Sequence, residues 1–141
     1  MKQGWVILGF VEIERWIAAA RTAREEAYAP YSKFQVGAAL VAVDGRIFSG
    51  CNVENISFGL TMCAERVALG QAIAAGVREF AAIAIVADTV RPVSPCGACR
   101  QVLAEFHPSL EIYLCTLGGL CERFSLADLL PRPATGILDR P

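Results

Sequence analysis

Cys63-Ala64-Glu65-Arg66 and, further along, Pro95-Cys96-Gly97-Ala98-Cys99-Arg100-Gln101 are the two segments around which the rest of this sequence is arranged. Their three cysteines offer three thiolates, one fewer than the four protein ligands of a structural zinc ion. The pattern therefore reads as a catalytic zinc site with one position open, one ion per chain. Glu65, two residues after Cys63, is the carboxylate at hand for proton transfer.

Each segment also carries a helix start. After Thr61-Met62 an apolar pattern runs through Ala64, Val67, Ala68 and Ile73 at helical spacing and stops at Gly76. After Pro95 a second pattern runs through Val102, Leu103 and Phe106 and stops at Pro108. With Cys63 and Cys96 opening these helices, free N–H groups and the positive dipole end favour the thiolate form. Cys96 and Cys99, three residues apart, fall on one helix face.

A Cys-x-Glu half followed by Pro-Cys-x-x-Cys is the all-cysteine form of the zinc deaminase signature. More closely, Cys63-Ala64-Glu65-Arg66 and Pro95-Cys96-Gly97-x-Cys99-Arg100-Gln101 resemble, residue for residue, the motif of the small cytidine deaminases. Gly50-Cys51-Asn52-Val53-Glu54-Asn55 and Tyr31-Ser32-x-Phe34-x-Val36-Gly37-Ala38 resemble two further blocks of that family. The resemblance implies zinc on Cys63, Cys96 and Cys99, with Glu65 as the catalytic proton carrier. It further implies Asn52 and Glu54 on the sugar hydroxyls, Phe34 and Ala64 as further substrate contacts, and Arg66 and Gln101 as supports of the site. Arg66 and the two helix N-termini would offset the negative charge at sulfur. The implied reaction is hydrolytic deamination of cytidine and 2'-deoxycytidine to the uridines in pyrimidine salvage, by a homotetramer. One departure stands out: family members finish with Leu-Pro followed closely by a Phe given to a neighbouring subunit's site, whereas Leu130-Pro131 here leads into Arg132-Pro133-Ala134-Thr135.

Other readings remain beside this one. The same cysteine blocks serve deaminases of modified cytosine nucleosides, such as the blasticidin type. A non-catalytic zinc-stabilised binding domain would need a fourth ligand, for which Cys51, Cys115, Cys121 or His107 are available. A Cys96–Cys99 redox dithiol would hold a disulfide and no metal. His107, before Pro108, suits a helix end interacting with the dipole, and Cys51, Cys115 and Cys121, in or beside apolar strands, read as buried thiols.

Outward from the motifs, residues 11–29 place Ile13, Trp16, Ile17, Ala20, Ala23 and Ala27 at helical spacing, a first amphipathic helix ended by Pro30. Residues 35–43 form an apolar strand, Asp44-Gly45 a hairpin turn, and residues 46–53 the return strand. Residues 54–62 show no period and read as a loop. Strands follow at 80–87, 111–116 and, weakly, 120–124, with a short helix at 125–130. The expected fold is α/β, a three-layer mixed sheet flanked by helices. Residues 11–131 form its single domain, between an N-terminal extension of residues 1–10 and a loose Pro-rich tail of residues 132–141.

Composition narrows the function. Thirteen basic and fourteen acidic residues leave a formal charge of −1, with no basic stripe for phosphates, so a nucleic-acid partner is not expected. The run from Trp5 to Val11 is too short to span a bilayer and is followed at once by Glu12, Glu14 and Arg15, so no membrane is expected either. Uneven cysteine spacing fits a reducing cytoplasm better than a disulfide framework. A hydrophobic content of 55% is high for a single domain and fits an oligomer.

Overall fold

The computed structural model describes residues 2–138, the side chains of residues 2–8 excepted. Met1 of the expected extension and residues 139–141 of the expected tail lie outside the described residues. The elements run α1 (Lys2–Arg24), β1 (Val36–Ala42), β2 (Ile47–Cys51), a 3-10 turn (Phe58–Leu60), α2 (Ala64–Ala74), β3 (Phe80–Ala87), α3 (Gly97–Ala104), β4 (Glu111–Thr116), β5 (Cys121–Ser125) and α4 (Leu126–Leu129).

The five strands form one sheet in the order β2-β1-β3-β4-β5. β1 is antiparallel to both β2 and β3, β3 is parallel to β4, and β4 is antiparallel to β5. The mixed sheet flanked by helices that the element order predicts is the one observed. Alternation along the strands divides the core in two. Leu40, Ile83, Ile85, Ile112 and Leu114 face α2, α3 and α4, while Ala39, Val41, Ala82, Ala84, Val86 and Tyr113 face α1. The alanines on the second face let α1 lie close to the sheet.

Two glycines show how tightly the helices sit. A Cβ on Gly37 would fall 1.9 Å from the Ala20 carbonyl oxygen of α1. One on Gly50 would fall 2.5 Å from the Ala68 nitrogen and 2.6 Å from the Ala64 oxygen of α2. Side chains at these positions would push whole helices off the sheet.

Three expectations are corrected. The first helix is continuous from Lys2 and ends at Arg24, not at Pro30. Tyr28 N–H donates to the Asn52 carbonyl at 3.0 Å, and Glu54 N–H to the Tyr28 carbonyl at 2.9 Å, so the segment before Pro30 is drawn into extended pairing beside β2. The 54–62 loop contains the 3-10 turn and a bridge between Val53 and Met62. Cys115 and Cys121, read as buried thiols, form a disulfide, with Cys115 buried and Cys121 exposed: they are opposite partners on the β4–β5 hairpin with Cα atoms 4.2 Å apart. Thr116 N–H bonds to the Leu120 carbonyl next to them, so the cysteines occupy the non-hydrogen-bonded pair, where side chains approach closely.

Gly50→Ala is expected to lower stability by about 1–3 kcal/mol through overpacking against α2. Gly70→Ala, in the exposed middle of α2 with nothing near its Cβ position, should raise it by up to about 1 kcal/mol. Urea midpoints of the two variants check both signs.

Candidate metal centre and active site

Cys63 and Cys96 are the residues that cap the N-termini of α2 and α3, each with extended backbone and no capping hydrogen bond from its side chain. Their sulfurs are thus free to point away from the helices, toward each other. The Cys63 and Cys96 Sγ atoms lie 3.9 Å apart, Cys96 and Cys99 Sγ 3.6 Å apart, and all three fall within 4.8 Å of one another. Four-coordinate zinc with Zn–S bonds of about 2.3 Å has sulfurs about 3.8 Å apart, so the spacing fits that ion.

The chemistry of the sulfurs fits as well. The Cys63 thiol is pushed down to about 5, first by hydrogen bonding with Cys99 and then by Arg66 and Cys96, against the opposing effect of burial. Cys99 is pushed up, first because it serves the Cys63 sulfur, then by burial and by the nearby negative charge. One thiolate forms easily here and the next only at rising cost. A soft divalent cation is the partner that lets all three ionise.

Arg66 lies one turn into α2, with Nη2 3.5 Å from the Cys63 sulfur and 3.3 Å from the Thr61 carbonyl. Its Nε is buried with no hydrogen-bond partner, and the residue as a whole is half-buried. Glu65 projects beside the cluster and is only 5% exposed. Burial pushes its carboxyl up from the ordinary range, the Cys63 charge acting in the same direction and Arg66 against it.

These groups open onto a cavity of about 320 Å3 whose wall includes Cys63, Ala64, Glu65 and Cys96 together with Phe34, Asn52 and Glu54. The size is that of a small-molecule site. Asn52 Oδ1 accepts from Val36 N at 2.9 Å and its Nδ2 donates to the Phe34 carbonyl at 2.7 Å. Glu54 Oε1 accepts from the backbone N–H groups of Tyr31 at 3.0 Å and Ser32 at 3.1 Å, and its Oε2 accepts from the Ser32 hydroxyl. That hydroxyl is the main reason why the Glu54 carboxyl is held below its ordinary value.

The structure thus brings together Cys63, Cys96, Cys99, Glu65, Arg66, Ala64, Asn52, Glu54 and Phe34. Gln101 stands apart: it is not in the cavity wall, and its Oε1 accepts from Ala134 N in the tail at 2.9 Å. His107 keeps to the end of α3, where its Nδ1 accepts from Ser109 N at 3.3 Å. Phe58, Thr61 and Ser94 line the cavity without having been read as site residues. They lie in stretches without periodicity, where only the distance from the cysteine motifs hinted at a role. Arg100 directly follows Cys99 in the second cysteine segment. It joins the loop before α3 to α4 through the carbonyls of Pro95 at 2.8 Å and Leu129 at 2.9 Å.

Comparison with known proteins agrees with this geometry. Residues 11–115 match the family model described as cytidine and deoxycytidylate deaminase zinc-binding region. A cytidine deaminase of Sporosarcina psychrophila is 56% identical over 122 residues, which cover 86% of this chain and 90% of that one. The crystal structure of a cytidine deaminase from Burkholderia pseudomallei superposes with a TM-score of 0.84 at 56% identity, covering 86% of this chain and 98% of that one. That of Mycobacterium tuberculosis gives 0.75 at 40% identity, covering 85% and 94%.

The purified protein is expected to carry about one zinc per chain by atomic emission, from the single three-sulfur cluster. Cys96→Ala should lose nearly all of it and melt at lower temperature, whereas Cys51→Ala should keep it.

Proposed function

The chain belongs to the cytidine and deoxycytidylate deaminase family, and on that premise we propose that it hydrolyses cytidine and 2'-deoxycytidine to uridine and 2'-deoxyuridine, releasing ammonia. It is a hydrolytic deaminase of the zinc-binding type. The observation that carries the substrate reading is one cavity whose wall combines a buried carboxyl and two of the three convergent cysteines with an amide and a carboxylate that are already oriented.

Cys63, Cys96 and Cys99 would hold the zinc. When bound, it supplies the Lewis acidity that makes water a competent nucleophile near neutral pH. Arg66 would moderate the charge of the thiolates through its contact with Cys63. Glu65 would take one proton of the attacking water and deliver it to N3 of the cytosine, then take the second from the hydroxyl formed at C4 and give it to the amine leaving C4. Burial suits it to this, because a carboxyl with a raised proton affinity can hold the proton between the two transfers. Water adds at C4, the C4–N4 bond breaks, and ammonia departs, so the atoms balance. Ala64, buried at the start of α2, and the Phe34 ring would bound the space for the base.

Asn52 and Glu54 in the cavity wall support a nucleoside. Three of the four acceptor sites of Glu54 are taken by Tyr31 and Ser32, and one N–H of Asn52 by Phe34. One acceptor and one donor remain, which is what a single sugar hydroxyl requires. Ribose and deoxyribose both supply one. Among the described residues no Lys or Arg lines the cavity, and the ionised Glu54 would repel a phosphate, so 5'-phosphorylated substrates are disfavoured.

We further propose a homotetramer acting in pyrimidine salvage in the cytoplasm, without nucleic-acid or membrane partners. Ile56, Phe58 and Leu60, between 60% and 82% exposed beside the cavity mouth, are large apolar side chains that a neighbouring copy would cover. Among the described residues no helix is long and apolar enough to cross a membrane. The division into residues 1–10, 11–131 and 132–141 and the support of the site by Gln101 belong to the same proposal.

Turnover is followed by the fall in ultraviolet absorbance as uridine forms, with zinc measured on the same sample. Both nucleosides should be converted and deoxycytidylate far more slowly. Glu65→Gln should lose about 10²–10⁴-fold in kcat while keeping its zinc. Zinc-loaded protein that converts neither nucleoside would overturn the reading.

A further inference from the structure

Ser32 belongs to no chemistry assigned so far, yet its hydroxyl makes two directed contacts at the sugar end of the cavity. It donates to Glu54 Oε2 and accepts from the Phe34 backbone N–H at 3.0 Å. Asn52 reaches the other side of the same residue, donating to the Phe34 carbonyl at 2.7 Å. Phe34 is therefore held through both of its backbone polar groups, and each hold runs through a group that also stands on or beside the sugar position.

The backbone around Ser32 is shaped for the same purpose. Lys33 adopts φ +61°, the left-handed region, and is the only non-glycine residue to do so among those described. Tyr31 and Ser32 N–H both donate to Glu54 Oε1, so the carboxylate is captured by backbone on one oxygen and by a hydroxyl on the other. Ser32 itself is exposed at the cavity wall, where removal of its hydroxyl leaves no buried hole.

We infer that Ser32 is a positioning residue, whose hydroxyl fixes the Glu54 carboxylate and the Phe34 backbone in one arrangement so that the remaining acceptor of Glu54 points into the cavity. This rests on the nucleoside reading above. Without the hydroxyl, Glu54 is restrained at Oε1 alone and its free acceptor is no longer aimed. Glu65 and the three sulfurs are untouched by Ser32. The loss therefore falls on substrates with a secondary sugar hydroxyl and spares the chemical step.

The test compares 2'-deoxycytidine with 2',3'-dideoxycytidine, which lacks both secondary hydroxyls, in wild type, Ser32→Ala and Ser32→Thr, with zinc content and melting temperature recorded for each. In Ser32→Ala the preference for deoxycytidine in kcat/KM should shrink by about tenfold, as expected for losing a hydrogen bond to a charged group. The change should appear as a higher KM for deoxycytidine with kcat nearly constant, and Ser32→Thr should restore the preference. An equal loss on both substrates, an unchanged preference, or a threonine variant that behaves like alanine would each overturn the inference. Should Ser32→Ala fail to fold, Ser32→Cys carries the same comparison with a weaker donor. Wild type that converts neither nucleoside fails the nucleoside reading and this inference with it, whereas active wild type with a preference indifferent to Ser32 fails this inference alone.

Discussion

The direction of three neighbouring strands is the constraint on which the site depends. β2 and β3 are each antiparallel to β1 and so run the same way, and β4 is parallel to β3. The helix that follows β2 and the helix that follows β3 therefore both begin at the edge of the sheet where those strands end. α2 and α3 lie on the same face and touch, so their N-termini are neighbours. β1 runs the opposite way and starts at that edge, which brings the Tyr31 to Phe34 loop there too. Asn52 and Glu54 follow directly on the end of β2. Every group of the cavity wall thus stands at one edge for a topological reason, in the manner of open α/β sheets that bind ligands beyond the carboxyl ends of their strands.

Within that frame the charges are arranged in opposition. At one end, thiolates gathered at two helix N-termini are met by the dipoles and by Arg66, and the buried Glu65 beside them is raised toward its protonated form. At the other end, two backbone N–H groups and a hydroxyl hold Glu54 as an anion. Two carboxyl groups in one cavity are thereby given opposite tendencies by burial and hydrogen bonding, the one suited to carry a proton and the other to accept hydrogen bonds.

The packing that holds the frame uses side chains of unequal size on the two faces of the sheet. Alanines and Gly37 beneath α1, and Gly50 beneath α2, bring the helices within backbone contact distance of the strands. The high hydrophobic content is only partly spent in these cores. Tyr31, Phe58 and Leu60 remain exposed around the cavity mouth, the part of the surface nearest the substrate. The cross-strand disulfide closes the β4–β5 hairpin at the opposite side of the sheet from β2, where β5 forms the outer edge.

Much of this was legible in the sequence because the signals are local. Helical spacing after Cys63 and after Cys96, and the apolar runs at 80–87 and 111–116, depend on the period of the backbone alone, and these elements appear where expected within two residues. Cys96 and Cys99 are legible because two ligands on one helix face stand three residues apart, and Cys63 and Glu65 because they share one short block that resembles a family motif. The end of α1 at Arg24, the Cys115–Cys121 pairing and the contact of Gln101 with Ala134 were not, since each is set by a partner distant in the chain or by strand register. Ser32 is the sharpest case. In the sequence it is one residue of a family-like block with no role of its own, and it acquires one only because the fold carries Glu54, 22 residues away, to its hydroxyl. Which atoms can bind metal and move a proton is written along the chain, because that chemistry resides in residue type and short spacing. Which of them share a cavity, and which small polar groups aim them, is set by the fold, because those contacts exist only once the strands have chosen their neighbours.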